Sequence, residues 1–219
     1  MSGEVLGLRV HVPIACFRKP YAREYVETYP IAPLSTVYGM LLSLVGEEKR
    51  KAHVGAGLAA GRISEPAVSR VLRTFYRWKD TKDILAPSNR SPDWQELLVG
   101  VRLVVWVCDG REKKGPTLRA RVAEALESPG AVLRYGALCL GESTHMVDGV
   151  WRLDQRPIGA EPDDGALFTL TPTPNGALAM PVWADHVGSE KTRWGQYSLV
   201  ERQGGGWEPG EEDWTFIAP

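Results

Sequence analysis

Residues 5–46 read VLGLRVHVPIACFRKPYAREYVETYPIAPLSTVYGMLLSLVG, and this stretch holds the two patterns on which the fold turns. At its start Leu6, Leu8, Val10 and Val12 alternate with Gly7, Arg9 and His11. A period of two puts one set on each face of an extended chain, so residues 5–12 are expected to form a half-buried strand. At its end the period changes. Val37, Leu41, Leu44 and Val45 recur at helical spacing after Pro33, with Ser35 expected as the N-cap and Gly46 as the stop. A loop of polar and aromatic residues joins the two.

Residues 52–63 (AHVGAGLAAGRI) are small and glycine-rich, which favours strand over helix. Residues 67–79 fit either element: Val68, Val71, Leu72, Phe75 and Tyr76 make a helical face, yet the β-branched and aromatic content also suits a strand. The run LLVGVRLVVWV at 97–107 is apolar and β-branched and ends at the turn Cys108-Asp109-Gly110, which predicts a buried strand. Between these two lies KDTKDILAPSNRSPDW, of hairpin-tip composition. A second helix is expected at 116–127, with Pro116 in its first turn and Leu118, Val122, Ala125 and Leu126 inward, stopped by Ser128-Pro129-Gly130. A glycine-punctuated strand region, RYGALCLGESTHMVDGVWRL, follows.

The order strand, helix, strand, inserted hairpin, strand, helix, strand predicts an α+β fold of the ferredoxin-like βαββαβ kind used by RNA-recognition domains. Residues 1–155 are then one such domain, with a β-hairpin over about 67–107. Residues 156–219, broken by Pro and Gly, are expected to form a smaller β-rich region packed on it.

Composition narrows the function. With 43% hydrophobic residues and eight Trp, the chain can bury a core and is not a disordered polymer. No apolar run reaches the roughly 20 residues that span a bilayer. The N-terminus lacks the basic and apolar regions of a signal peptide. Cys16, Cys108 and Cys139 are too few and too scattered for a disulfide framework or a zinc site, so reduced thiols, no metal, no cofactor and a cytoplasmic setting are expected. The net charge of −1 conceals an asymmetry. Residues 1–125 carry 20 Lys+Arg against 13 Asp+Glu, and residues 126–219 carry 6 against 14. A basic first part suits a polyanion or an acidic partner.

Four features could bind such a partner. The helix start at Pro33–Tyr38 would present unpaired N–H groups and the Ser35 and Thr36 hydroxyls to a phosphate, although Ser35 as a plain cap explains the same residues. In the loop from Phe17 to Tyr29, Arg18, Lys19 and Arg23 interleave with Tyr21, Tyr25 and Tyr29, a mixture that offers charge to phosphates and rings to unstacked bases. Between residues 70 and 90, Arg70, Arg73, Arg77, Lys79, Lys82 and Arg90 outnumber Asp80 and Asp83, with Phe75, Tyr76 and Trp78 among them. As a hairpin, this segment would set Arg73, Arg77 and Lys79 on one face and Trp78 on the other. Finally Gly136, Gly141, Glu142 and Ser143 near His145 would let backbone approach a ligand closely, or would simply build a tight turn. No phosphate-binding glycine loop, HExxH or GxSxG motif is present, and His11, His53, His145 and His186 are scattered.

The segment with Phe17-Arg18, Pro20, Thr28-Tyr29-Pro30, Pro33 and Ser35-Thr36-Val37-Tyr38-Gly39-Met40-Leu41 resembles the N-terminal signature of the CRISPR-associated protein 5 family, the RAMP-superfamily subunit of type I Cascade surveillance complexes. The Leu140-Gly141-Glu142-Ser143 loop, Trp183 and Thr192-Arg193-Trp194 also look familial. The resemblance implies an RRM-like palm, a projecting hairpin thumb and a subunit that binds and caps the 5′ handle of CRISPR RNA. It adds Tyr38 to the candidate RNA contacts. It further implies contacts with the backbone and large subunits, and with target DNA near the PAM. In one subtype the family is itself a metal-independent endoribonuclease using tyrosine, lysine and histidine. That site includes a Lys-His pair, which none of the four histidines here completes, although Tyr38 with Lys113 or Lys114 could be its remnant. A free-standing RNA-binding module is the third reading.

Overall fold

The computed structural model describes residues 4–22, 24–63, 65–76, 79–155, 165–185, 190–203 and 206–219. The first strand, β1 (Val5–Ala15), runs three residues past the expected end, and its burial alternates as the sequence does. A short β2 (Tyr25–Val26) precedes helix α1 (Leu34–Leu44). Strands β3 (Gly57–Ile63), β4 (Ala67–Tyr76) and β5 (Arg90–Cys108) lead to helix α2 (Leu118–Glu127). Then come β6 (Gly149–Arg152), β7 (Leu167–Pro172), β8 (Leu178–Trp183), β9 (Arg193–Arg202) and β10 (Thr215–Phe216). The result is a mixed α/β protein with one large sheet, in which the path β6-β1-β5-β3-β7-β9-β8 is antiparallel throughout.

One face of the central strands carries the main core. Leu6, Leu8, Val10 and Val12 of β1 and Val101, Leu103, Val105 and Val107 of β5 pack with Leu34, Val37, Met40 and Leu41 of α1 and with Leu118, Val122 and Ala125 of α2. The opposite face at β3 and β5 is also covered: Ala59, Ile63, Val104 and Trp106 are packed by Leu153, Leu167, Trp207 and Trp214. With both faces closed, β3 is buried at every position. That explains a sequence of small residues without polar alternation.

β5 is the spine. Its second half pairs with β1 and β3, and its first half pairs with β4 from Ala67↔Val99 to Tyr76↔Arg90. β1 is paired only as far as Ala15↔Leu98, so the outer part of the β4–β5 ribbon projects beyond the sheet, touched on its other edge by β2 at Trp94 and Gln95. Gly100, with φ +73°, lies where β5 passes from sheet to ribbon, and a Cβ there would meet nothing within 4 Å. Glycine is needed for the backbone angle and not for space. Strands β7 to β9 extend the sheet beyond β3 rather than beginning another one.

Several expectations shift. α1 begins at Leu34 with Pro33 at the N-cap and no side-chain cap, so Ser35 lies inside the first turn. α2 begins at Leu118, not at Pro116, because the Thr117 hydroxyl accepts from the Ala120 N–H and fixes the start at the following residue. Residues 67–76 are strand, and β5 starts at Arg90, inside what the composition marked as hairpin tip. The region 134–153 is mostly turns, with β6 and a Cys139↔Met146 bridge its extended pieces. All three cysteines are free, but only Cys16 is fully buried. Among the described residues no helix is long and apolar enough to cross a membrane.

Candidate nucleic-acid interface

A cleft of about 700 Å³ opens along the outer face of α1. Ser35, Thr36, Gly39 and Ser43 line one wall, and Arg134, Tyr135, Ala137, Cys139 and Gly141 line the other. Helical spacing explains the first wall. Leu34, Val37, Tyr38 and Leu41 turn inward, which leaves Ser35, Thr36 and Gly39 outward near the positive end of the helix. Neither hydroxyl has a hydrogen-bond partner among the described residues, while the Thr36 and Val37 N–H groups donate to the Pro33 carbonyl. Arg50 closes one end of the cleft, its guanidinium 4.3 Å above the Trp183 ring. Burial pulls its pKa down, against the opposing pull of Tyr38 and Asp185. Neither Arg50 nor the exposed Arg134 forms an ion pair among the described residues. Glu47 and Glu48 also line the cleft, but Glu47 is engaged with Arg121. An anion with apolar parts fits this lining.

The basic and aromatic loop divides into anchors and free groups. Phe17 and Tyr29 are core residues, and the Tyr29 hydroxyl donates to the Ala179 carbonyl at 2.7 Å. The Tyr25 hydroxyl donates to Glu96 at 2.8 Å, tying the loop to β5. Arg18 is exposed and donates to the Ala22 carbonyl, and Lys19 pairs with Glu27 at 3.6 Å. Tyr21 is 88% exposed. Arg23 lies outside the described residues.

The hairpin gives a different result from the expected row of arginines. Arg77 and Trp78 lie outside the described residues, and Lys79 is past the end of β4, its N–H donated to the Asn89 side chain. Arg73 is not free for a phosphate. It donates to Gln95 at 2.6 Å and pairs with Glu142 at 3.2 Å, while Gln95 donates to the other Glu142 oxygen at 2.7 Å. Gln95 is fully buried, so this triad joins the ribbon to the 140–146 loop. The sequence marked Glu142 only as part of the glycine-rich turn and did not mark Gln95; the pairing of Glu142 with Arg73, 69 residues away, leaves no local signal.

Gly141 and Ser143 belong to the same loop. Gly141 has φ +100°, and a Cβ on it would lie 2.8 Å from the Cys16 carbonyl, so its close backbone approach is to the chain itself as well as to the cleft. His145 completes the loop: its Nδ1 accepts from the Cys16 N–H at 3.1 Å and the Glu142 N–H at 3.2 Å. Burial lowers the His145 pKa, Glu142 opposes this, and Arg73 adds to it.

Tyr38, expected as an RNA contact, is a core residue at 1% exposure. Its hydroxyl donates to the Arg50 carbonyl at 2.8 Å, and burial pushes its pKa up to about 12. Nearby, His53 Nδ1 meets Glu112 at 2.6 Å and its Nε2 meets Arg121 at 2.9 Å, while Glu112 accepts from the Leu118 N–H and Arg121 donates to the Val45 carbonyl. This network fastens the end of α1 to the start of α2. Lys113 and Lys114 are exposed, and His186 lies outside the described residues.

A single sheet with two helices on one face, a projecting ribbon and an arginine-flanked cleft defines a mixed α/β protein with a candidate anion site. Comparison with known proteins gives that class a family. The chain belongs to the CRISPR-associated protein (Cas_Cas5) family, whose model matches residues 5–147. It is 45% identical over 193 residues, 87% of each chain, to the CRISPR-associated protein Cas5 of Myxococcus xanthus strain DK1622. Two solved structures share the fold. A chain titled "CRISPR RNA-guided surveillance complex" matches with a TM-score of 0.59 at 13% identity over 90% of both chains. One titled "Crystal structure of Cas protein" matches with a TM-score of 0.51 at 14% identity, covering 91% of this chain and 94% of that one.

Proposed function

We propose that this chain is a non-catalytic subunit of a Cascade surveillance complex that binds and caps the 5′ handle of CRISPR RNA. The observation that carries the reading is the cleft beside α1, where two hydroxyls, Arg50, Arg134 and the Tyr135 ring face one volume. Hydroxyls and guanidinium groups suit phosphates, and the exposed tyrosine suits a base. The strand order β6-β1-β5-β3, with α1 and α2 as crossovers, supports a ferredoxin-like palm, and the β4–β5 ribbon supports its thumb. On this reading the backbone and large subunits, and target DNA near the PAM, are the further partners, and the complex works in the cytoplasm.

The non-catalytic part rests on how His53 and His145 are engaged, and on the position of His11, which lies on the face of β1 opposite the helices and the cleft with its ring against Trp151. His145 Nδ1 already accepts two backbone N–H groups, and His53 is held between Glu112 and Arg121. A general acid or base needs a free nitrogen within reach of the scissile phosphate. Tyr38, the candidate remnant of a nuclease site, has its hydroxyl committed inward.

The test is equilibrium binding of a single-stranded handle RNA by the full chain and by an Arg50→Gln, Arg134→Glu double variant. Removing both guanidinium groups should weaken binding by at least about tenfold, since a hydrogen bond to a charged group is worth ~1.5–3 kcal/mol. The salt slope should fall by about 0.7 log unit for each phosphate that is no longer neutralised. Precursor RNA should stay uncut with or without divalent ions. Unchanged affinity would remove the cleft from the account, and specific cleavage at the handle boundary would favour the endoribonuclease reading.

A further inference from the structure

A second pocket, of about 460 Å³, lies away from the cleft, between the basic loop and the β8–β9 hairpin. Pro20, Tyr21, Ala22, Tyr29, Ala179 and Trp194 give it apolar walls, and Lys19 and Glu27 stand at its rim. Two of these rings are exposed, Tyr21 at 88% and Trp194 at 44%. They come from segments 173 residues apart in sequence that the fold brings to one pocket. Their mounts are firm. Lys19 N–H donates to the Glu27 carbonyl, Ala22 N–H to the Lys19 carbonyl, and Arg18 to the Ala22 carbonyl, while Tyr29 closes the floor through its bond to Ala179. Trp194 sits on β9 opposite Pro181.

We infer that this pocket holds one unstacked nucleobase of a single-stranded nucleic acid, with the Tyr21 and Trp194 rings as stacking surfaces. The inference rests on the RNA-binding function proposed for the chain and adds a second, base-directed site to it. Charge and shape together point to a nucleotide. The walls are mainly apolar, which suits a base face, and the cations of the basic loop, Lys19 at the rim and Arg18 beside it, would follow the adjoining phosphate. Glu27, paired with Lys19, can accept from the exocyclic amine of a base. A pocket of this size is large enough for a base and its sugar.

The experiment compares the full chain with its Tyr21→Ala, Trp194→Ala and Tyr21→Phe variants. The probes are a short single-stranded oligoadenylate RNA and versions of it made abasic at one position each. Each alanine variant should bind the intact strand roughly tenfold more weakly, the scale of removing one base stack. Tyr21→Phe should bind normally. The abasic position that weakens the native chain most should weaken each alanine variant less than it weakens the native chain, because one of the base's two stacking rings is already gone. All three substitutions lie on exposed rings, so melting curves should match that of the native chain. If the native chain binds and the alanine variants bind equally well, the pocket is not a base site, although the cleft reading stands. If the native chain binds no RNA at any salt concentration, both readings fall.

Discussion

Glu142 is the residue on which the projecting ribbon is tied to the rest of the molecule. One oxygen takes Arg73 and the other takes Gln95, while its own N–H donates to His145. His145 must stay neutral at Nδ1 to accept its two N–H bonds, and burial lowers its pKa below the usual 6.5. The sign follows directly. The unfolded chain takes up the proton first, so stability is complete above about pH 6.5 and is lost as the pH falls through that value towards the folded pKa. His11, also lowered by burial and by Arg102 and Arg9, adds to the same trend. Urea unfolding between pH 8 and pH 5 should show the decline, and His145→Asn, which keeps an acceptor but cannot titrate, should flatten most of it. An undiminished slope in that variant would assign the effect to His11. At this scale the sequence was half legible. Tyr38 stands four residues after Leu34 and three before Leu41, the spacing of a buried helix face, so the same period that marked Val37 and Leu41 could have marked it, although it was expected among the RNA contacts. The Arg73–Glu142 pair was invisible, because an ion pair between distant segments depends on a register that no local pattern records.

Among the elements, β5 decides what projects and what packs. Its 19 residues begin in the polar stretch RSPDW, which reads as loop because one face of the ribbon is solvated; Trp94, opposite Leu72, is 50% exposed. The second half, LVVWV, was legible because both its faces are buried and no polar residue interrupts it. Gly100 separates the two. Its left-handed backbone in open space predicts that Gly100→Ala costs about 1–2 kcal/mol through strain alone, without a steric clash. Guanidinium unfolding measures this, and a neutral effect would mean that β5 relaxes at Gly100 without cost. The start of α1 was misplaced because proline, not serine, occupies the N-cap. The candidate cleft depends little on that shift, since Ser35 and Thr36 remain on the outer face either way.

At the scale of the whole molecule, the order of the main strands and helices from β1 to α2 was legible, while the turns that fill most of 134–153 and the placement of the last strands were not. Nothing in the sequence of β7 announces that it pairs with β3. The functional groups follow the same division: the α1 wall of the cleft comes from a readable helix, and Arg134 and Tyr135 come from turns whose position only the fold supplies. The central claim is that this cleft holds the 5′ end of CRISPR RNA. The measurement that addresses it most directly is photo-crosslinking of the assembled complex, with a photoreactive nucleotide placed at each position of the CRISPR RNA in turn, read by peptide mass spectrometry. Handle positions should crosslink to residues 35–50 and 133–141 of this chain. Crosslinks from the handle to other subunits alone, with this chain marked only by spacer or 3′ positions, would contradict the account.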